Sequence, residues 1–142
     1  MNILLTGSEG FIGSNLKTHI ENNFDANIQC LDLQYGDDLQ TCELPDDIDL
    51  VIHLAGLSGV RQSLENPINY WKQNVIVSQR IFDKYKDTRL LYASSSTAKE
   101  PWRNPYAFSK FSIEQLAPEK SLGMRFTTTY GPNAREQMLI PS

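Results

Sequence analysis

The residues that most constrain this chain run from Met1 to Gly13. Asn2-Ile3-Leu4-Leu5-Thr6 is an apolar run of strand length, and Gly7-Ser8-Glu9-Gly10-Phe11-Ile12-Gly13 follows it directly, leading into an amphipathic segment. Strand, glycine-rich turn and helix together make the opening unit of a dinucleotide-binding fold. A pyrophosphate is held by backbone N–H groups at a helix N-terminus, and a side chain in the turn would keep it away. On this reading Gly7 permits the tight turn, Gly10 the approach of the phosphates and Gly13 the seating of the helix on the sheet, with Phe11 and Ile12 beside them. The spacing is G-x-x-G-x-x-G rather than the commoner G-x-G-x-x-G. Such turns also occur without a nucleotide, so the glycines alone leave both readings open.

A length of 142 residues is one domain on size, 1–142, with room for a sizeable core. The net charge of −4 and the absence of a basic block argue against nucleic acid and anionic membrane as partners. Cys30 and Cys42 stand in no metal-ligand spacing and suggest no disulfide framework, which fits a reducing compartment. No signal pattern opens the chain and no apolar run reaches membrane-spanning length, so a soluble cytoplasmic protein is expected.

Along the chain, Ile12, Leu16 and Ile20 recur at helical spacing up to Glu21-Asn22-Asn23. Ile28 to Asp32 reads as the second strand. Asp32 stands nineteen positions after Gly13, near the offset of the acid that accepts hydrogen bonds from both adenosine ribose hydroxyls and repels a 2′-phosphate. That favours NAD over NADP; a surface acid at a strand end is the alternative. Leu33 to Asp49 leaves little room for the further helix and strand of a full doubly wound sheet, although Asp38 and the Leu39 N–H are placed to meet the adenine. Leu50 to Ala55, ending in Gly56, predicts a buried parallel strand, with His53 a satisfied core histidine. Pro67 opens a helix to about Lys86, with Ile68, Trp71, Val75 and Phe82 on one face and Tyr70, Val77 and Ile81 beside it. So broad an apolar surface predicts contact with a partner subunit. Leu90 to Ala93 is the next strand, running into Ser94-Ser95-Ser96-Thr97. Asn104-Pro105 caps a helix that ends by Pro118, and Met124 to Thr129 is the last strand.

The glycine turn, Leu54-Ala55-Gly56 and the serine run all follow strands, so they share the carboxyl edge where open α/β sheets bind ligands. Tyr106 and Lys110, four apart on a helix, lie on one face. Lowering a tyrosine pKa from near 10 to about 7 takes roughly 4 kcal/mol. A cation about 4 Å away at an effective dielectric of 20 is worth a similar amount. Lys110, helped by a positively charged nicotinamide, would make Tyr106 a base, with Ser95 sharing the proton of the substrate hydroxyl.

These motifs, in this order, resemble the extended short-chain dehydrogenase/reductase family of nucleotide-sugar epimerases and dehydratases. Thr6 to Gly13 looks like its cofactor turn, His53-Leu54-Ala55-Gly56 like its fourth-strand motif, Tyr92 to Ser96 like its serine strand and Tyr106-Ala107-Phe108-Ser109-Lys110 like its Tyr-x-x-x-Lys. Gly59 to Pro67 and Arg125 to Pro132 are similar to stretches of the UDP-glucuronate and UDP-glucose 4-epimerases of that family. The resemblance implies a Rossmann-like doubly wound parallel sheet (α/β), here shortened and without most of the C-terminal substrate domain. It implies NAD as cofactor, a UDP-sugar as substrate and a homodimer through the Pro67–Lys86 and Tyr106–Ala117 helices. It implies Ser95, Tyr106 and Lys110 as catalytic residues, and Asn74 as the asparagine that supports the site. Arg61, Ser96, Thr128 and Arg135 would contact the sugar nucleotide.

The implied chemistry is C4 epimerisation. Tyr106 takes the 4-hydroxyl proton while NAD takes the C4 hydride, the 4-keto sugar turns over, and the hydride returns to the other face. Dehydratases of the family carry an acid pair where this chain has Ser96-Thr97, and Asp32 disfavours an NADPH-dependent reductase. The chain departs from the family in its length, about half the usual, and in Ala98-Lys99-Glu100, which replaces Val-Tyr-Gly. Two readings follow: an NAD-dependent epimerase, whole or as its catalytic half with the pocket completed by a partner, or a non-catalytic NAD-binding module.

Overall fold

The computed structural model describes residues 1–135. Five parallel strands form one sheet in the order β2-β1-β3-β4-β5: β1 Asn2–Thr6, β2 Asn27–Leu31, β3 Leu50–His53, β4 Arg89–Ser95 and β5 Ser121–Phe126. Helix α1 (Phe11–Asn23) joins β1 to β2 leftward, while every later connection runs rightward. Right-handed crossovers in opposite directions place their helices on opposite faces. The core divides accordingly. Ile3, Leu5 and Ile52 pack with Ile20 of α1 on one face. Leu4, Val51, Leu90 and Tyr92 pack on the other, against α4 (Val77–Lys84) and α5 (Pro105–Leu116). The chain is Rossmann-like, as its sequence predicts.

Against the full doubly wound order 3-2-1-4-5-6, one strand is missing after Asp32. The motif His53-Leu54-Ala55-Gly56 therefore ends the third strand of this sheet, not a fourth. The shortened connection holds only a 3₁₀ turn at Leu33–Tyr35. It still contributes Leu39 and Leu44 to the core beneath α4. Its backbone is held by Arg80 on α4, whose guanidinium donates to Leu39 O at 2.8 Å and Cys42 O at 2.5 Å. Tyr85 Oη donates to Pro45 O at 2.6 Å, and Lys84 pairs with Asp46.

Three elements depart from the sequence reading. Val60–Glu65 is a short helix, α2, hidden in the sequence behind a motif with no helical stripe. The helix opened by Pro67 is α-helical over Pro67–Tyr70 (α3), π-helical over Trp71–Ile76 and α-helical again in α4. Inserting a π turn rotates the helix face. Ile68 and Trp71 of the predicted stripe are exposed, whereas Val75 and Phe82 are buried. Strand β5 begins and ends three residues earlier than its apolar run suggests, because pairing with β4 sets its register (Leu90↔Ser121 to Ser95↔Phe126). Gly123 fits there because a Cβ would lie 2.5 Å from the Tyr92 hydroxyl. Glu114 of α5 braces both strands, accepting from Ser94 Oγ at 2.5 Å and from Arg125 Nε and Nη2 at 2.8 and 2.7 Å.

Arg80 satisfies two carbonyls that no regular strand pairing serves. Arg80→Ala is expected to cost about 2–3 kcal/mol in urea unfolding. Lys84→Ala, which breaks an exposed ion pair, is expected to cost under about 1 kcal/mol.

Candidate active site

The glycine turn forms because α1 begins almost against it. A Cβ on Gly13 would sit 2.0 Å from Gly7 O, and Gly7 takes φ +71 with its own Cβ position 2.7 Å from Ala55 N. Among the described residues a Cβ on Gly10 would meet only Gly7 O, at 3.3 Å, which leaves open space above the helix N-terminus. Asp32 follows β2 at the same edge. Its Oδ2 accepts from Glu9 N at 2.9 Å and its Oδ1 from Gln34 N at 2.9 Å, so it fixes the turn and caps the 3₁₀ segment. A carboxylate offers about four lone-pair positions, and two remain for a ligand.

Two adjoining cavities of about 500 and 430 Å³ share Gly7, Gly10, Leu54, Gly56 and Leu57. They make an elongated cleft across the glycine turn. Asp32, Asp38 and Leu39 line one end; Ser95, Tyr106, Lys110 and Arg135 line the other. Phe11, Ile12 and Gly13 border the second end and Ala55 the first.

Asn104 caps α5 by accepting from Ala107 N at 2.8 Å, and Pro105 begins it, so Tyr106 and Lys110 present one face to the end of β4. Lys110 Nζ donates to Ala93 O at 3.0 Å and stands 5.9 Å from the centre of the Tyr106 ring. Burial pushes Lys110 down to about 8. Burial raises Tyr106 above its ordinary value, partly offset by the Ser95 hydroxyl and by the Arg135 charge. This corrects the sequence-based expectation that Lys110 alone supplies most of the lowering. The lysine donates to a backbone carbonyl beside the ring, and burial favours the neutral tyrosine.

Behind this corner lies a buried polar layer. Asn74, carried in by the π-helical turn, accepts from Leu57 N at 2.7 Å and donates to Leu57 O at 3.0 Å and Ser109 Oγ at 3.1 Å. Ser109 Oγ in turn donates to Tyr106 O at 2.7 Å. Asn74 supports the cleft through the Leu57 loop and does not line it. Tyr70 stands edge-on to Tyr106 with ring centres 6.4 Å apart, and its hydroxyl donates to Ser58 O at 2.8 Å. His53 is the core histidine the sequence predicts: Nδ1 lies 2.7 Å from Thr6 Oγ1 and Nε2 2.9 Å from Ser78 Oγ. Burial, with the nearby Lys110 charge, lowers it to about 3.

A model of the NAD dependent epimerase/dehydratase family matches residues 3–142. This chain belongs to that family. MoeE5, solved with UDP-glucose and NAD, matches with TM-score 0.84 at 29% identity, covering 97% of this chain and 58% of that one. The UDP-glucuronic acid 4-epimerase of Bacillus cereus, solved with UDP-glucuronic acid and NAD, matches with TM-score 0.83 at 26% identity, covering 97% and 60%. The chain is 28% identical over 161 residues to the UDP-glucose 4-epimerase of Pisum sativum, covering 81% of this chain and 46% of that protein. It thus spans about half to three-fifths of the length of the relatives it matches.

As the family's cofactor, NAD fits these residues. The open position at Gly10 leaves room for phosphates at a helix N-terminus. Asp32 has acceptor capacity for a ribose, and Tyr106 and Lys110 stand at the opposite end of the cleft. Among the residues assigned to the sugar nucleotide, Arg135 lines the cleft and pairs with Ser58 Oγ. Arg61 does not reach it. Its guanidinium is 90% exposed and pairs with Glu65 at 3.8 Å, because α2 turns it outward. Ser96 opens the 3₁₀ turn Ser96–Lys99 and is not among the residues lining the cleft. Thr128 is exposed, while Thr127 and Thr129 line the cavity. Tyr70, Ser109 and Thr97 carry no signal in the sequence that separates them from ordinary helix and turn residues.

His53 gives the family member a pH signature. Above the unfolded value of 6.5 the ring is neutral in both states. Below it the unfolded chain binds a proton that the folded chain refuses until about 3. Stability from this group is therefore full above 6.5 and is lost as pH falls through that window. Between pH 7 and 4 the chain should lose on the order of 3 kcal/mol more than a His53→Asn variant, measured by urea unfolding at each pH.

Proposed function

We propose that this chain catalyses NAD-dependent C4 epimerisation of a UDP-sugar. The observation that carries the reading is the convergence of Ser95, Tyr106 and Lys110 at one end of a cleft whose other end is Asp32. When bound, NAD supplies a two-electron acceptor and donor at the reacting carbon. Oxidation at a carbinol carbon also requires removal of the hydroxyl proton, and Tyr106 Oη is the base at that end of the cleft. Lys110, protonated at neutral pH, places a positive charge 5.9 Å from the Tyr106 ring centre at that end of the cleft. Ser95 hydrogen-bonds the substrate oxygen, and on the return step Tyr106 gives the proton back. Ser96-Thr97 supports epimerisation over dehydration, since neither can act as an acid at neutral pH. The likeness to UDP-sugar 4-epimerases points the same way. A non-catalytic NAD-binding role is the competing reading.

The protein with NAD and UDP-glucose, UDP-galactose or UDP-glucuronate should yield the C4 epimer, read by NMR of the sugar. Tyr106→Phe should lower the rate by at least roughly 10²-fold and leave NAD affinity within about twofold, since the phenol makes no cofactor-holding bond in the reading above. NAD binding with no epimer from any of the three would support the binding-module reading instead.

A homodimer belongs to the same proposal. Trp71 and Phe108, at 40% and 48% exposure, stack with ring centres 5.8 Å apart on the outer side of the π-helical turn and α5, and Ile68, one helical turn before Trp71, is 71% exposed. Light scattering at micromolar concentration should give twice the chain mass, and Phe108→Asp should give the monomer.

A further inference from the structure

Thr97 stands where dehydratases of the resembled family carry an acid, and the mechanism above gives it no task. Its position relative to Ser95 is specific. Ser95 is the last residue of β4, 7% exposed, and its Oγ caps the following 3₁₀ turn by accepting from Thr97 N at 3.2 Å. The same Oγ accepts from Thr97 Oγ1 at 2.9 Å. A serine hydroxyl has two acceptor lone pairs and one proton. Thr97 occupies both lone pairs, from its amide and from its side chain. What Ser95 retains is the proton.

We propose that Thr97 is a positioning residue that makes Ser95 a donor only, with its O–H directed into the cleft toward Tyr106 and the reacting hydroxyl. This rests on the epimerase reading for its catalytic meaning, but the geometry is independent of turnover. A serine so constrained cannot accept the substrate's proton. The reacting oxygen must accept from Ser95 and donate to Tyr106, which fixes the order Ser95 O–H to substrate O–H to Tyr106 Oη. Before a substrate oxygen takes its place, the same proton faces Tyr106 and stabilises its ionised form, in accord with the lowering that Ser95 exerts on that group. The other polar or charged groups facing Tyr106 are Lys110 on its own helix, Tyr70 from the helical run below and Arg135 from the segment after β5. The turn that holds Thr97 is itself anchored. Ala98 is fully buried, and Glu100 N donates to Thr97 O at 3.0 Å.

Thr97→Val keeps the side-chain shape and the amide donor but frees one lone pair of Ser95 Oγ; Thr97→Ser restores the hydroxyl. Phenolate absorbance is titrated in NAD-saturated protein, with Tyr106→Phe as the blank and the thermal midpoint as the folding control. Thr97→Val should raise the Tyr106 midpoint by about 0.5–1 pH unit, a three- to tenfold shift in ionisation, and Thr97→Ser should return it. Epimerisation, where it occurs, should show the lower limb of its kcat/KM profile, which reports the substrate-free enzyme, displaced by the same amount. A Thr97→Val midpoint equal to the parent's, or a Thr97→Ser midpoint equal to that of Thr97→Val, overturns the proposal. Absence of epimer in the parent protein with the expected titration shifts would remove the epimerase reading and leave the Thr97–Ser95 geometry standing.

Discussion

The structure depends on how closely α1 is seated on the first turn. With Gly13 against Gly7 O and Gly7 against the backbone of Ala55, the helix, β1 and the end of β3 meet at distances that admit no side chain. That contact aims the helix N-terminus over the carboxyl edge of the sheet and leaves the space above Gly10 open. The two cavities join across this point, so the seating of one helix determines that the Asp32 and Tyr106 ends form a single cleft.

Buried polar groups keep that edge rigid. Thr6 Oγ1 accepts from Ala55 N at 3.2 Å and faces His53 Nδ1, and Ser78 meets the other ring nitrogen. The network is satisfied when Thr6 donates to Nδ1 and a neutral ring donates from Nε2, which agrees with the low pKa of His53. One layer further, Asn74 ties the Leu57 loop to Ser109 and so to the backbone of Tyr106. Low dielectric makes such bonds costly to leave unmade. The middle of the cleft and its Tyr106 end are therefore each braced by a buried hydrogen-bond network.

The missing strand shows how the fold absorbs a deletion. A shortened connection still has to cover Leu4, Val51 and the α4 side chains, and Leu39 and Leu44 do so without regular structure. Arg80 supplies the hydrogen bonds that a strand ladder would have supplied. The far end of the cleft keeps its acids because Asp32 and Asp38 lie before and within that connection, still at the cleft's edge.

The sequence by itself determined the elements whose signals are local. These are the β1 strand and its glycine turn, the acid after β2, the Asn104–Pro105 helix start and the Tyr106/Lys110 face, because caps, turns and helical spacing act over a few residues. The family followed from their order. Only the tertiary structure decided the rest. Sheet pairing shifted β5 toward its N-terminus, and the π turn reassigned the faces of the long helix, since both depend on partners distant in sequence. Arg61 turned outward on a helix that its residues do not announce, whereas Arg135 came to the cleft. The state of Tyr106 was likewise settled by packing. Burial opposes its ionisation, and the groups that favour it, Ser95 and Arg135, come from β4 and from beyond β5, an arrangement the four-residue spacing of Tyr106 and Lys110 cannot express.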